Sequence, residues 1–142
     1  MFLGEYEYRL DQKGRVSVPS KFREEFKEGI ILTRGYDRCI MAYTPSEWEK
    51  VHEKFASMST TRSKARLLNR IVFTNAFDGA LDRQGRVMIP NPLKDYAHIS
   101  DDVIIAGAGS YLEIWSKDLW SKEKVTMEQQ AWQIAESVEE RA

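Results

Sequence analysis

Leu81-Asp82-Arg83-Gln84-Gly85-Arg86-Val87-Met88-Ile89-Pro90 is the stretch that decides how this chain is organised. The same pattern has already occurred once, as Leu10-Asp11-Gln12-Lys13-Gly14-Arg15-Val16-Ser17-Val18-Pro19. Leu, Asp, Gly, Arg, Val and Pro recur in the same register, and an isoleucine in the second copy replaces a valine of the first. A match of six residues at fixed spacing is far beyond chance in a chain of 142 residues, so the protein is a tandem repeat of one supersecondary unit.

Each copy of the pattern predicts a strand, a tight turn and a second strand. Side chains alternate from Phe2 to Leu10 as they do in a half-buried strand. Asp11-Gln12-Lys13-Gly14 then predicts a turn, because Asp can accept hydrogen bonds from nearby backbone amides and Gly supplies a positive φ. Arg15 to Val18 follows as a strand, which a proline closes because proline cannot donate to a sheet ladder. Phe73 to Ile89 repeats this order in the second half.

The remainder of the two halves also matches, with only one residue inserted. In this alignment Val103–Ala106 corresponds to Ile31–Arg34, and Trp120 corresponds to Trp48. The stretch Ser46-Glu47-Trp48-Glu49 has the form of a capping box, which predicts that a helix begins at Ser46. Each half therefore predicts the same ββαββα unit.

Neither half is long enough to bury a core comfortably, so we expect the two units to interleave their hairpins around a pseudo-two-fold axis. Strands that come in hairpins indicate an α+β fold. The expected divisions are 1–59 for the first repeat, 60–72 for a helical connection, 73–121 for the second repeat and 122–142 for a C-terminal helix. The last helix carries an apolar stripe formed by Met127, Ala131, Ile134, Ala135 and Val138.

Composition indicates a folded globular protein without overall attraction to nucleic acid. Hydrophobic residues make up 42% of the chain and aromatic residues 11%, as in globular proteins. The 21 Lys and Arg residues nearly cancel the 22 Asp and Glu residues, which leaves a net charge of -1. Any role in nucleic-acid binding must therefore come from a local basic patch, or from many copies of one patch in an oligomer.

The cysteine and histidine residues do not predict a disulfide or a metal site. Cys39 has no second cysteine to pair with and lies in an apolar run, which is typical of a buried small hydrophobic residue. Together with His52 and His98 it gives no metal-ligand spacing. The start of the chain turns acidic at Glu5 and does not resemble a signal peptide. No apolar run approaches the length that spans a membrane, so we expect a soluble cytoplasmic protein.

The repeated Asp-x-x-Gly-Arg motif has a structural and a functional interpretation. In the structural one, Arg simply pairs with Asp across the turn, a surface ion pair of about 0–1 kcal/mol. In the functional one, two loops present guanidinium groups at a fixed separation, next to Lys13 in the first copy and Arg83 in the second. The planar fork of arginine suits phosphate oxygens and the guanine edge, and Gln12 and Gln84 could bond bases or backbone. Duplication favours the functional interpretation.

These doubled motifs also resemble a known family. The two copies of Leu-Asp-x-x-Gly-Arg-Val-x-Val/Ile-Pro are similar to the signature of the MraZ family and, less closely, to the AbrB-type DNA-binding loop. The start Met1-Phe2-Leu3-Gly4-Glu5-Tyr6, the stretch from Leu32 to Cys39 and Trp48 after its serine also resemble that family. The resemblance covers essentially the whole chain and implies an AbrB-like swapped-hairpin barrel.

The resemblance implies a bacterial transcriptional regulator, expected to repress the division and cell-wall gene cluster that includes its own gene. Its partners would be double-stranded DNA with direct repeats in the promoter and further copies of itself in a ring-shaped homo-oligomer. It would be cytoplasmic and associated with the nucleoid. The family's Asp-x-x-x-Arg motif carries over to Asp11 with Arg15 and to Asp82 with Arg86. The residues that we expect to contact DNA are Arg15, Arg86, Lys13, Arg83, Gln12 and Gln84. The loop-structuring residues would be Asp11, Gly14, Asp82 and Gly85.

Other functions receive less support from the sequence. No Ser/His/Asp or Cys/His set and no suitably paired carboxylates occur, so we expect no enzyme activity, no cofactor or metal and no small-molecule substrate. An oligomeric protein-binding module of the same fold, without DNA binding, stays open as the alternative. The basic stretch Arg62–Arg70 is either a second DNA contact or a solvated helix face. We expect packing roles for the tryptophans Trp48, Trp115, Trp120 and Trp132.

Overall fold

The computed structural model describes the backbone of residues 1–141 and the side chains of residues 1–139. The strands are β1 (Glu5–Arg9), β2 (Arg15–Ser17), β3 (Ile30–Arg34), β4 (Ile40–Tyr43), β5 (Phe77–Gly79), β6 (Arg86–Met88), β7 (Asp102–Gly107) and β8 (Leu112–Ser116). The helices are a 3-10 helix (Ser20–Phe26), α1 (Pro45–Ala56), α2 (Ser63–Thr74), α3 (Asn91–Tyr96) and α4 (Lys117–Arg141). None of the described helices combines the length and apolar character needed to cross a bilayer.

The strands form a six-stranded sheet and a separate two-stranded ribbon. The sheet has the order β1-β7-β8-β4-β3-β5, and every pair in it is antiparallel. The ribbon consists of β2 and β6, also antiparallel. Reversing the sheet order exchanges the strands of the first repeat with those of the second. A pseudo-two-fold axis therefore passes between β4 and β8 and through the ribbon.

The two repeats interleave because the first strand of each pairs with the third strand of the other. β1 of the first repeat pairs with β7 of the second, and β5 of the second pairs with β3 of the first. The predicted α+β tandem repeat with interleaved hairpins is confirmed. The sheet ends in two edge strands, β1 and β5, and does not show the closed barrel implied by the family resemblance.

The register of β3 and β7 differs by one residue from the alignment of the sequences. Ile30 and Leu32 of β3 face the main core, and Val103 and Ile105 of β7 face the same core. Leu32 therefore corresponds to Ile105, whereas the sequence alignment matched it with Ile104. Both strands are buried on both faces, so their apolar runs contain no alternation that would have fixed the register.

The main core lies between one face of the sheet and a layer made of the ribbon, the 3-10 helix and α3. Val16 and Val87 enter it from the ribbon, Phe22 and Phe26 from the 3-10 helix, and Leu93 from α3. Each of these side chains is at most 4% exposed. Complete burial of such a side chain stabilises the fold by about 1.5–3 kcal/mol, so this layer is held firmly on the sheet. α1, α2 and the start of α4 cover the opposite face.

The start of α1 is two residues earlier than the capping-box pattern at Ser46 predicts. Thr44 is the N-cap, and its Oγ1 accepts a hydrogen bond from the Glu47 amide at 3.2 Å. Pro45 occupies the first helical position, where its missing N–H would have had no intrahelical partner. Thr44 and Glu47 have the capping-box spacing themselves, and the prediction of Ser46 as the cap is wrong.

Candidate nucleic-acid interface

The ribbon brings the two Asp-x-x-Gly-Arg turns onto one surface. Val16 lies directly opposite Val87, and both side chains are buried in the core. Neighbouring residues of a strand point to opposite faces, so Arg15 and Arg86 lie on the outer face of the ribbon. Each turn leads into one strand of this pair, so the pseudo-two-fold axis runs between the turns.

The first turn is organised around the carboxylate of Asp11. Its Oδ1 accepts hydrogen bonds from the amides of Lys13 and Arg15, each at 2.9 Å. Its Oδ2 accepts a hydrogen bond from Arg15 Nε at 2.7 Å. Gly14 closes the turn with a φ of 77°, in the left-handed region that favours glycine. The Arg15 amide is the main reason that the pKa of Asp11 lies below its ordinary value.

The second turn repeats this arrangement around Asp82. Its Oδ1 accepts hydrogen bonds from the amides of Gln84 and Arg86, each at 2.9 Å, and its Oδ2 accepts one from Arg86 Nε at 2.9 Å. Gly85 has a φ of 75°. The pKa of Asp82 is also lowered, chiefly by the Arg86 amide. The two copies therefore share one local geometry as well as one sequence pattern.

Ion pairs across the axis join the two turns. Arg15 Nη1 lies 3.8 Å from Asp82 Oδ2, and Arg86 Nη1 lies 3.7 Å from Asp11 Oδ2. We call these four side chains the four-ion ring. They are 25–35% exposed, so solvent screens their attraction, and their main effect is to fix the guanidinium groups in place. The charges within the ring cancel.

The residues that flank the ring are basic or carry amides. Gln12, Lys13, Arg83 and Gln84 are all exposed. None of their side chains makes an ion pair or a hydrogen bond within the part of the chain that the structure describes. Lys13 lies in one turn and Arg83 in the other, so a positive charge stands on each side of the axis. The arrangement leaves four polar side chains available to a ligand.

Sequence reasoning missed two further basic residues, Arg23 of the 3-10 helix and Lys94 of α3. Arg23 covers Gly85 of the other repeat, and its Nε donates a hydrogen bond to the Val18 carbonyl at 2.9 Å. Lys94 Nζ lies 3.5 Å from the position that a Cβ on Gly14 would occupy. Each residue lies four positions after the proline that ends the second strand of its repeat. A basic residue at the same position of both repeats is the sequence signal that could have identified them.

The basic stretch Arg62–Arg70 lies away from the turns. It falls mostly on α2, which packs behind the sheet, where Phe73 contacts Trp48 at 5.9 Å between ring centroids. The main core and the sheet separate α2 from the ribbon. This stretch is therefore not part of the surface formed by the two turns.

The structure gives no support for a metal centre in the described residues. Across residues 1–139 no three His, Cys, Asp or Glu side chains come close enough together to share an ion. The adjacent carboxylates of Asp101 and Asp102 each lie 3.9 Å from the Arg9 guanidinium. Burial raises the pKa of the Cys39 thiol, which favours its protonated form.

Comparisons with known proteins agree with the duplicated architecture. The family model described as "MraZ protein, putative antitoxin-like" matches residues 1–71 and again residues 72–140. A protein of Dehalococcoides mccartyi named transcriptional regulator MraZ is 49% identical over 141 residues, which cover 99% of both chains. Proteins of the same name from Roseiflexus castenholzii and Carboxydothermus hydrogenoformans are 39% identical over 140 residues and 42% identical over 121 residues. These matches cover 99% and 85% of this chain, and 98% and 85% of the relatives. The chain therefore belongs to the MraZ family, whose members here are named as transcriptional regulators and not as enzymes.

Proposed function

We propose that the protein binds double-stranded DNA through the surface of its two turns and regulates transcription by that contact. The observation that carries this proposal is the pairing of β2 with β6, which places both Asp-x-x-Gly-Arg turns side by side. One surface then offers two copies of the same donor set, related by the pseudo-two-fold axis. The names of the relatives support regulation of transcription as the outcome.

The charge of this surface suits a polyanion although the whole chain has a net charge of -1. The four-ion ring is neutral, so the surrounding Lys13, Arg83, Arg23 and Lys94 determine the local charge. Contacts from these residues to phosphates would release counterions and make affinity fall steeply with salt. We therefore assign phosphate contact to Lys13 and Arg83, with Arg23 and Lys94 adding to the field around them.

Base recognition falls to the arginines of the ring and to the amides beside them. Arg15 uses Nε and Nη1 toward carboxylates, which leaves further N–H donors of its guanidinium for DNA. Arg86 has the same arrangement. A guanidinium held in a fixed orientation loses little freedom on binding a guanine edge. Gln12 and Gln84 would bond to base edges or sugar-phosphate oxygens nearby.

We further propose that the DNA site consists of direct repeats in the promoter and that the protein binds it as a ring-shaped homo-oligomer. Several copies that point their turns to one side would add their phosphate contacts and overcome the low charge of a single subunit. The regulated genes would be the division and cell-wall cluster with its own gene, with repression as the effect. The protein would then act in the cytoplasm on the nucleoid.

A mobility-shift series at rising salt concentration tests the DNA proposal. The probe is the promoter upstream of the protein's own gene, with a scrambled duplex of equal length as its reference. Lys13→Ala and Arg83→Ala should each weaken binding and reduce the slope of log affinity against log salt by about 1. Lys54→Ala, at an exposed position on α1, is the matched control and should leave both quantities unchanged.

The substitution of Arg15 separates this function from the alternative of a protein-binding module without DNA binding. Arg15→Ala should weaken binding to the promoter duplex more than to the scrambled one, because a base-reading donor is lost. Equal affinity of the wild-type protein for both duplexes would contradict base recognition. Absence of any salt-dependent binding would favour the protein-binding module.

A further inference from the structure

The two repeats match on the face of the sheet that packs on the main core, but they differ on the opposite face, which the helices α1, α2 and α4 cover. In the first repeat α1 ends at Ala56 and α2 folds back over it, so that Phe73 contacts Phe55 at 6.2 Å between ring centroids. In the second repeat α4 takes the position of α1, with Trp120 in place of Trp48. α4 then continues without a break to Arg141, and no helix among the described residues folds back over it.

The distal part of α4, residues 125–139, packs on no other element in the part of the chain that the structure describes. Every residue in it is exposed, including Ile134 at 48%, Val138 at 63% and Trp132 at 83%. The predicted packing role of Trp132 is therefore not fulfilled inside one chain. An isolated helix of this length is marginal in water, so a partner on its apolar side would stabilise it. The apolar side is the stripe formed by Met127, Ala131, Ile134, Ala135 and Val138.

A second apolar face is exposed on α2, beside the cleft that α2 forms with Trp48 and Val51 of α1. Leu67 and Ile71 are one helical turn apart and are 55% and 48% exposed. Lys64 and Arg70 flank them on the same side of the helix. Ala65 is buried on the opposite side of the helix. We call Lys64, Leu67, Arg70 and Ile71 the outer face of α2.

Charge favours pairing of these two faces with each other over pairing of either with itself. The distal part of α4 carries Glu128, Glu136 and Glu139, with no lysine or arginine from Thr126 to Glu139. α2 carries only basic charges, and no acidic residue occurs from Ser63 to Thr74. At about 100° per residue, Glu128 and Glu139 border one edge of the apolar stripe of α4, whereas Glu136 lies on the opposite side of the helix. Two such stripes side by side would bring like charges together, whereas the stripe against α2 sets Glu128 and Glu139 beside basic residues.

We propose that the distal part of α4 of one copy packs on the outer face of α2 of a second copy. The inference rests on the proposed homo-oligomer and names the surface that builds it. At about 1.5 Å per residue, 15 exposed residues of α4 span ~22 Å and the 12 residues of α2 span ~18 Å, so the lengths are compatible. The second repeat then receives from its neighbour the helix cover that α2 gives to the first.

This contact is head to tail, because each subunit offers one α4 and accepts one at α2. A head-to-tail contact repeats from copy to copy and generates a ring if the rotation closes. It differs from a two-fold contact, in which one patch meets its own copy and assembly stops at two. The α4 helix contains no Pro or Gly between Lys117 and Arg141, so its distal part does not bend back onto α2 of its own chain.

Two single substitutions at exposed positions test the contact by light scattering of the full-length protein. Leu67→Asp removes the acceptor face and Ile134→Asp removes the donor face, and each should lower the mass from the oligomer toward one subunit. Val125→Asp is the matched control, because Val125 is 53% exposed on the other side of α4 and should leave the mass unchanged. Circular dichroism of each variant establishes that it is folded.

Mixing the two variants gives a sharper result. Leu67→Asp keeps an intact α4 and Ile134→Asp keeps an intact α2, so one contact can form between them and no second can follow. The mixture should have the mass of two subunits, while each variant alone has the mass of one. If Leu67→Asp has the mass of the full oligomer, or if the mixture has the mass of one subunit, the proposed contact is wrong. The proposal that the protein is a homo-oligomer would be unaffected by either result. A wild-type protein with the mass of one subunit would instead contradict the oligomer itself.

Discussion

The four-ion ring assigns two tasks to each of its arginines. Arg15 satisfies the carboxylate of its own turn through Nε and approaches the carboxylate of the other turn through Nη1. Lysine could not do both, because its ammonium is a point charge without the planar fork. Arg15→Lys would therefore loosen the link between the turns while it preserves the net charge. The ring couples the orientation of one half of the surface to that of the other.

Acid should loosen both turns, because the pKa values of Asp11 and Asp82 lie below the ordinary value in the folded protein. A lowered carboxyl pKa adds stability that is complete above the unfolded pKa, about 3.9, and is lost as pH falls through the folded pKa. The double variant Asp11→Asn, Asp82→Asn should have a lower melting temperature than the wild type at pH 6. This difference in melting temperature, the gap, should become smaller below about pH 4. Thermal melts from pH 3 to 7 measure this gap, and a gap independent of pH would contradict the account.

The two turn glycines should differ in their tolerance of alanine. Both have a positive φ, so Gly14→Ala should cost about 1 kcal/mol from strain alone. At Gly85 a Cβ would also overlap Arg23 and displace its hydrogen bond to Val18, which adds about 1 kcal/mol. Urea unfolding measures both costs. In an Arg23→Ala background the two costs should become equal, and an unchanged difference would exclude Arg23 as the cause.

Local chemistry explains which part of the candidate site could be predicted from sequence. Asp11 and Gly14 were predicted as turn residues because Asp and Gly act on the backbone of their own turn. Arg23 and Lys94 were missed because each lies over a glycine of the other repeat, and that contact exists only once the hairpins interleave. The ion pairs between the two turns depend on the same topology and were equally beyond local patterns.

At the scale of elements, the cap of α1 provides a direct test of the observed helix start. Thr44→Ala removes the acceptor for the Glu47 amide and should cost about 1 kcal/mol of folding stability. Ser46→Ala, at the position that the sequence pattern favoured, should cost less, because Ser46 accepts no backbone amide in this structure. Urea unfolding of the two variants compares them, and a larger cost at Ser46 would restore the later helix start.

Strands were predicted well where one face is polar and less well where both faces are buried. β1 alternates between exposed and half-buried residues, so its position and orientation followed from the sequence. The middle of β7 is apolar on both faces. If its register shifted by one residue, each face would still carry apolar residues, so the sequence does not distinguish the two registers. The structure fixes its register through the pairing of Ile105 with Tyr6, which the sequence of β7 alone does not contain.

At the scale of the whole molecule, neither repeat has a complete sheet of its own. β1 depends on β7, and β5 depends on β3, so each repeat completes its edge with a strand of the other. The main core contains buried side chains from both halves, such as Phe26 of the first and Leu93 of the second. The repeats are therefore one folding unit, although the sequence shows them as two.

Fragments divided between Asn75 and Ala76 should show this dependence. Neither residues 1–75 nor residues 76–142 should form a folded monomer, because each lacks the strand that covers its edge and half of the core. Mixing the fragments should restore the far-ultraviolet circular dichroism of the intact chain. Light scattering on each fragment alone measures its mass, and a folded monomer of either one would contradict the obligate interleaving.

Val16 pairs with Val87 across the pseudo-two-fold axis, as two identical residues would pair in a symmetric dimer. This chain therefore corresponds to such a dimer with both halves encoded by one gene. In a dimer of identical subunits, one codon change alters both turns at once. Here the codons for Gln12-Lys13 and Arg83-Gln84 are separate, and the two turns already differ in the order of their charged and amide residues. Because the gene encodes the two turns separately, a mutation can change the contacts of one turn while the other turn retains its own.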